Sequence, residues 1–198
     1  MVEVVTLGGE EQLFYKSFPI NIAFIRGTYA DEYGNISFEK EIAPLEGTSV
    51  AQAVKNSGGI VIVQVERIVA GGTLDPRFVK VPGILVDAVV VAEPKNQRQS
   101  LDCPFDAALS GELKISADNT EPASLSIRKV IGRRAAMELT RGCVVNLGVG
   151  IPEFVAAVAE EESLADQITL TVESGAIGGV PQNGKRFGAA VNADCYWD

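Results

Sequence analysis

Residues 143–173 read CVVNLGVGIPEFVAAVAEEESLADQITLTVE, and this order of residue types decides the predicted fold. The apolar run over 143–147 predicts a buried strand, and the glycine-rich turn 148–150 follows it directly. Pro152 stands where a helix is expected to begin, because the first turn of a helix loses nothing from a missing N–H. Residues 153–162 continue that helix. The stretch therefore predicts a strand, a tight loop and a helix in succession.

The chain then enters a second strand. Residues 168–172 are rich in β-branched side chains, and Glu173 lies at their carboxyl end. A strand, a glycine loop, a helix and a strand form a βαβ unit, whose two strands run parallel. Ahead of this unit, residues 128–140 have the apolar spacing of another helix, which Gly142 is placed to stop.

The first part of the chain carries further strand candidates and one helix candidate. The strand candidates are Val2–Leu7 (followed by a Gly8-Gly9 turn), 21–25, Ile60–Val65 and 86–92. The runs 60–65 and 86–92 are apolar with little polar interruption, which favours a parallel sheet covered on both faces. Residues 49–55 predict a short helix, with Ser49 placed as its N-cap.

Between these parts, residues 95–126 are rich in polar residues and proline and have few large apolar side chains. This composition predicts a linker or mobile loop. A surface excursion within one domain fits the same composition equally well. The sequence thus predicts an α/β protein with two αβ segments, 1–94 and 127–198, around a polar joint.

Among the 198 residues there is no histidine, which excludes several site types. Neither a Ser-His-Asp triad nor a Cys-His pair can form within the chain, and no metal site can use imidazole. The cysteines Cys103, Cys143 and Cys195 are far apart and form no CxxC pair. Proton transfer near neutral pH would therefore depend on a perturbed carboxylate, lysine, tyrosine or cysteine.

The net charge further narrows the possible partners. Seventeen basic against twenty-six acidic residues give a net charge of −9. This balance argues against non-specific nucleic-acid binding and against a basic membrane-binding surface. Neither a signal peptide nor a membrane span is readable, so a reducing cytoplasm is the expected location.

Two features of the sequence are candidates for chemistry. The backbone N–H groups of loop 148–152 favour an anion or a developing oxyanion, although a tight turn without a ligand has the same pattern. Glu173 stands at a strand end, where ligands collect in open α/β sheets. Position alone somewhat favours a solvated carboxylate over a functional one. Glu66 has a similar position, and Arg67 beside it offers a structural ion pair instead.

These motifs carry a family resemblance. GVGIP at 148–152 and ESGAIGGVP at 173–181 resemble the second-half signature of the family I coenzyme A transferases. AFIRGTYAD at 23–31, YGNI at 33–36 and PGILVD at 82–87 resemble the later part of that family's first half. The chain is most similar to the single-chain acetate or propionate CoA-transferase group and is also similar to ketoacid CoA-transferases. The resemblance covers nearly the whole chain.

The resemblance implies a function and a set of site residues. Glu173 would be the nucleophile, and the backbone N–H groups of Val149 and Gly150 would stabilise the oxyanion. The residues implied in substrate or CoA binding are Gly148, Ile151, Pro152, Gly175, Ala176, Gly178 and Gly179. The implied substrates are an acyl-CoA and a short-chain carboxylate. Coenzyme A is then a substrate, and no cofactor or metal is expected.

Family members are longer at both ends, so the resemblance implies an internal piece. Residues 1–94 would be the C-terminal part of the first, alpha-type half and 95–126 the linker. Residues 127–198 would be the N-terminal part of the second, beta-type half with the glutamate motif. The expected fold is thus two incomplete open αβα-type halves with mainly parallel sheets. A homo-oligomer or a complementing chain would supply the missing segments.

Other functional classes stay open beside this one. A truncated scaffold or binding module without activity is one, and its missing termini favour it. A weak acyl-CoA hydrolase using the same glutamate is another, if water reaches the intermediate. A nucleotide-binding dehydrogenase is the least favoured, because the glycine pattern is not a complete GxGxxG.

Overall fold

The computed structural model describes residues 1–43, 45–101, 103–113, 122, 124–172 and 177–178. The helices and strands of these residues are, in chain order, β1 (Val2–Leu7), β2 (Glu10–Tyr15), β3 (Ile22–Arg26), β4 (Tyr29–Asp31), β5 (Ile36–Ser37), α1 (Gly47–Asn56), β6 (Ile60–Val65), β7 (Arg67–Val69), β8 (Val79–Val81), β9 (Ala88–Val91), α2 (Ile127–Ala136), β10 (Val144–Leu147), α3 (Glu153–Glu161) and β11 (Thr169–Val172). None of the described helices has the length and apolar character needed to cross a bilayer.

The first sheet confirms the prediction of parallel strands from the apolar runs. Its order is β3–β6–β9, and all its pairs are parallel. The core beside it includes the fully buried residues Ala51, Val54, Val61, Val63 and Val65. Phe24 on β3 is 81% exposed, and Val90 and Val91 on β9 are about half exposed. The expectation of cover on both faces is therefore wrong for the described residues, because none of them packs over these side chains.

Helix α1 crosses between β3 and β6 and begins at Gly47 rather than at Ser49. The prediction that Ser49 caps this helix is wrong, and the preceding Glu46 makes no side-chain cap either. A Cβ on Gly47 would be in ordinary contact with the Phe38 ring, 3.5 Å away, so the first residue of the helix lies beside Phe38.

A second, mixed sheet has the order β7–β4–β5–β8. Its strands have two or three residues each, too few for a periodic signal in the sequence. Asp31, at the end of β4, is buried and accepts hydrogen bonds from the N–H groups of Tyr33 and Asn35 at 3.0 and 2.9 Å and of Gly72 at 3.3 Å. Burial by itself raises the pKa of Asp31, but these bonds and one from the Asn35 side chain lower it below its ordinary value.

The first strand pairs in an antiparallel hairpin with β2, from Val2 opposite Tyr15 to Leu7 opposite Glu10. The strand Val2–Leu7 and the glycine turn were predicted, whereas β2 was not. Gly8 and Gly9 have φ of +61° and +90°. Positive φ at both turn residues matches the right-handed twist of a two-residue hairpin, which explains the glycine pair.

The second part of the chain confirms the predicted βαβ unit. Strands β10 and β11 are parallel, with Val144 opposite Thr169 and Leu147 opposite Val172. Helix α2 begins after Ser126, whose Oγ accepts the Lys129 N–H at 3.2 Å. It ends at Ala136, so the predicted extension to residue 140 and a stop at Gly142 are wrong.

The polar stretch after β9 makes specific hydrogen bonds to loops in the first part of the chain and within itself. The Gln97 side chain donates to the Gly27 carbonyl at 2.9 Å, and the Gln99 side chain donates to the Lys40 carbonyl at 2.8 Å. Gln99 also accepts the N–H of Asp106 at 2.7 Å. Polar side chains in the described part of 95–113 thus form hydrogen bonds with residues distant in the sequence. The division of the chain into 1–94, 95–126 and 127–198 stays a prediction.

Candidate functional site

The glycine loop 148–152 joins the carboxyl end of β10 to the start of α3. Gly150 has φ of +100°, a conformation that side chains with a Cβ rarely adopt. Pro152 directly precedes α3, as predicted, and its own φ of −58° suits a helix start. The loop therefore turns sharply at one glycine and enters the helix at once.

A buried carboxylate accepts a hydrogen bond from the backbone of this loop. Glu153, the first residue of α3, is only 6% exposed, and its Oε1 accepts the N–H of Gly150 at 2.7 Å. One of the two predicted oxyanion donors is thus already hydrogen-bonded. The N–H of the other donor, Val149, has no acceptor among the described residues, and its side chain is 61% exposed.

Sequence reasoning missed the contact of Glu153. A usable signal was present, since an acid three residues after a loop amide, in the first turn of a helix, has the spacing at which its side chain reaches back to that amide. The negative charge is also favoured there by the helix dipole. The spacing from Gly150 to Glu153 fits this pattern.

Helix α3 is held firmly against α2. A Cβ on Gly132 would lie 2.9 Å from both the Cβ and the backbone oxygen of Phe154, so the two helices touch at the glycine. Lys129 Nζ lies 2.5 Å from Glu161 Oε2, with both side chains largely buried. These contacts anchor the helix that carries Glu153.

The carboxyl end of β11 faces the same sheet edge as the loop. Because Leu147 lies opposite Val172 in a parallel pair, β10 and β11 end at the same edge of the sheet. The chain returns at residues 177–178, where Ile177 pairs antiparallel with Thr171 and the Gly178 N–H donates to the Leu170 carbonyl at 2.7 Å.

Several predicted site residues lie outside the described residues: Glu173, Gly175, Ala176 and Gly179. Of the others, Gly148, Val149, Gly150, Ile151 and Pro152 lie together in the loop, and Gly178 lies beside β11. The roles assigned to all of them stay predictions.

The alternative acid, Glu66, follows directly after β6 and is in an ion pair. Its Oε2 lies 2.7 Å from Lys40 Nζ, which is also 5.4 Å from the ring centre of Tyr29 and 5.6 Å from that of Phe105. The hydrogen bond to Glu66 raises the pKa of Lys40 above its ordinary value. A structural ion pair was one of the two predicted roles, but Lys40 rather than Arg67 is the partner. Arg67 instead lies over the Tyr29 ring at 4.6 Å.

A cavity of about 430 Å³ lies at the carboxyl end of β3. Its apolar wall includes Phe24 and Phe38, and its polar end includes Arg26 and Glu41. Arg26 Nε donates to Glu41 Oε2 at 2.8 Å, and the same guanidinium donates to the backbone carbonyl of Arg98. The positive charge of Arg26 is therefore already paired with the carboxylate of Glu41.

Comparison with known proteins finds that the whole length of this chain is similar to CoA-transferases. A family model described as Coenzyme A transferase matches residues 1–92. The chain is 49% identical, over its full length, to a caffeate CoA-transferase of Acetobacterium woodii and covers 38% of it. It is 40% identical, also over its full length, to the acetate CoA-transferase YdiF of Escherichia coli (strain K12) and covers 37% of it. The chain thus spans little more than a third of the length of these curated relatives.

A solved structure shares the fold. A crystal structure of the acyl-CoA transferase YdiF of Escherichia coli O157:H7, as a thioester complex with CoA, matches this chain with a TM-score of 0.74 and 41% sequence identity. The match covers 92% of this chain and 34% of that one. The α/β architecture with mainly parallel sheets is therefore shared between the two.

Proposed function

We propose that this chain, which is similar to coenzyme A transferases, belongs to that family and is part of an enzyme that moves CoA from an acyl-CoA to a short-chain carboxylate. The observation that carries the proposal is the similarity to two CoA-transferases over the whole of this chain, at 49% and 40% identity. The loop 148–152 and the end of β11 share one sheet edge, which supports a site at that edge.

In the proposed reaction, Glu173 is the nucleophile. Its carboxylate attacks the thioester carbonyl of the acyl-CoA, and collapse of the tetrahedral adduct gives an acyl-glutamyl anhydride and the CoA thiolate. The thiolate then attacks the glutamyl carbonyl of the anhydride, which releases the first carboxylate and leaves a glutamyl-CoA thioester. The acceptor carboxylate attacks this thioester to form a second anhydride, and the thiolate attacks its acyl carbonyl. The products are the new acyl-CoA and free Glu173.

This scheme fits a chain without histidine. A glutamate with an ordinary pKa of about 4.3 is already ionised at neutral pH, so no base is needed to activate it. The leaving thiolate needs no acid, because it is the next nucleophile. Coenzyme A acts here as a substrate, and the proposal includes no cofactor or metal.

Each tetrahedral adduct carries an oxyanion that needs a hydrogen-bond donor. We propose the backbone N–H of Val149 for this role, since no described residue accepts its hydrogen bond. Gly175, Gly178 and Gly179 would let the backbone approach the pantetheine arm and the acyl group. The further residues proposed to contact the substrate or CoA are Gly148, Ile151, Pro152 and Ala176. Their proximity would also help to keep water from the anhydride.

The proposed partners are an acyl-CoA and a short-chain carboxylate, without nucleic acid or membrane. A homo-oligomer or a complementing chain is a further proposed partner. Free cysteines at Cys103 and Cys143 fit a reducing compartment such as the cytoplasm.

The test is a covalent adduct. The chain is incubated with acetyl-CoA or propionyl-CoA, digested and searched by mass spectrometry for CoA on the peptide that contains Glu173, with Glu173→Gln as the matched control. We expect the adduct on the wild-type chain alone and its removal by hydroxylamine. Absence of the adduct, where a full-length relative forms it, would support the scaffold alternative. Release of free CoA without an acceptor carboxylate would support the hydrolase.

A further inference from the structure

We infer that Glu153 is a positioning residue of this site: its buried carboxylate holds the Gly150 amide and thereby leaves the Val149 amide as the open donor. The inference rests on the proposed function for its kinetic part. Its structural part stands on the contact between Oε1 and the Gly150 N–H, which are 2.7 Å apart.

Burial makes this contact strong. A carboxylate at a helix start normally faces water, yet Glu153 is one of the few charged residues in the described core. A buried carboxylate without partners is costly, so the N–H that it accepts contributes directly to stability. A bond from N–H to an ionised carboxylate is also about twice as strong as a neutral one.

The contact divides the loop into two kinds of amide. The Gly150 N–H is turned inward, at a residue whose φ of +100° sets a sharp bend. The bend and the hydrogen bond restrain the peptide that lies between Val149 and Gly150. The Val149 N–H, on the preceding peptide, has no acceptor among the described residues. Glu153 would therefore control the direction of the proposed oxyanion donor without touching the substrate.

The support behind Glu153 is rigid, as a positioning role requires. It lies on α3, which is fixed on α2 by the Gly132–Phe154 contact and the Lys129–Glu161 ion pair. The loop is thus tied at one end to β10 and at the other to a helix that cannot shift without breaking these contacts. Loss of the carboxylate would remove the hydrogen bond to Gly150, while the two contacts between the helices do not depend on it.

The first arm of the experiment measures the contact by amide hydrogen exchange, read by NMR for Gly150 and Val149. Glu153→Ala removes the acceptor, and we expect Gly150 to exchange about tenfold faster or more, relative to Val149. Glu153→Gln keeps an acceptor oxygen and should retain much of the protection. Asp31→Asn, at a buried acid in the other part of the chain, is the control that lowers stability without changing the ratio of the two exchange rates.

The second arm measures the rate of CoA adduct formation on Glu173. Glu153→Ala should slow it roughly ten- to a hundredfold at saturating acyl-CoA, with KM little changed, because a small displacement of a catalytic group has this effect. Glu153→Gln should restore most of the rate, and Asp31→Asn, at a position outside the candidate site, should leave it unchanged.

The outcomes separate the two ideas. Unchanged exchange at Gly150 in Glu153→Ala overturns the contact, and an unchanged adduct rate overturns the positioning role while the proposed function stands. If the wild-type chain forms no adduct, the proposed function fails for this chain and the kinetic part of the inference fails with it. The exchange arm then still decides whether Glu153 holds the loop. If Glu153→Ala does not fold, Glu153→Gln and its partial loss of protection carry the test.

Discussion

The carboxyl ends of β6 and β11 each lie in a parallel sheet. The two ends differ in the groups that surround them. Glu66 follows β6 and meets Lys40, a residue that lies between two aromatic rings. The end of β11 instead shares its edge with the backbone of loop 148–152. A cation stabilises a carboxylate that is already charged, whereas backbone N–H groups are suited to charge that develops during a reaction. The difference explains why position at a strand end does not define a nucleophile.

The two regions also differ in how they use their buried acids. In the first part of the chain, Asp31 binds three backbone amides and ties the turn after β4 to Gly72. In the second part, Glu153 binds the amide of Gly150 inside the candidate site. Both acids organise a loop, but only the second loop lies at the edge where the proposed nucleophile follows its strand.

The largest expected effect tests the choice between the two glutamates. Glu173→Ala should reduce CoA transfer from propionyl-CoA to acetate by at least about a thousandfold, because the nucleophile itself is lost. Glu66→Ala should change the rate by less than about tenfold, since its carboxylate is held in an ion pair. Both are measured as initial rates, with folding checked by circular dichroism. An equal loss from both substitutions would contradict the assignment of Glu173.

The next effect tests whether the hydrogen bonds accepted by the buried Asp31 stabilise the folded protein. Asp31→Asn should lower the free energy of unfolding at pH 7 by about 2 kcal/mol, because a charged acceptor of several buried N–H groups becomes neutral and partly mismatched. The measurement is urea denaturation. Asp75→Asn, at a partly exposed acid that binds the neighbouring Arg77, is the control and should shift the midpoint much less.

The same residue predicts a pH dependence of known sign. Since the folded pKa of Asp31 is lowered from 3.8, its stabilisation is complete above that value and is lost as the pH falls through the folded pKa. Wild-type protein should therefore lose stability below about pH 4 more steeply than Asp31→Asn. Parallel curves for the two proteins between pH 5 and pH 2 would show that Asp31 is not responsible.

A smaller effect separates the two glycines of the loop. Gly150→Ala should cost about 1–2 kcal/mol, because its φ of +100° is strained for a residue with a Cβ. Gly148→Ala should be nearly neutral, since its φ is not in that range and no atom of the described residues lies within 4 Å of the added Cβ. Thermal unfolding of both variants measures the difference. If the two cost the same, backbone conformation does not explain the glycine at 150.

The smallest effect concerns the ion pair at Glu66. Lys40→Met should lower the free energy of unfolding by less than about 1 kcal/mol, because both partners are about one-third exposed and solvent screens their attraction. A double-mutant cycle with Glu66→Gln isolates the pair. A coupling well above that value would mean that the ion pair is a main support of the first sheet.

Local patterns predicted those parts of the molecule that depend on neighbouring residues. The apolar runs predicted β3, β6 and β9, and the order of strand, glycines and proline predicted β10, the loop and α3. Partners that come from elsewhere in the chain were not predictable in this way. Lys40 precedes Glu66 by 26 residues, and no periodicity connects the two. The short strands β4, β5, β7 and β8 were missed because they contain too few residues to show a pattern.

The sequence by itself determined the class of this protein, its parallel strands, the position of the glycine loop and the family that its motifs resemble, because these depend on residue order over short distances. Only the tertiary structure decided what each acid meets: Lys40 beside Glu66, backbone amides around Asp31, and the Gly150 N–H against Glu153. Those pairings depend on which strand ends and helix starts come together in space. They also decide which backbone N–H groups already donate a hydrogen bond within the described part of the protein and which do not.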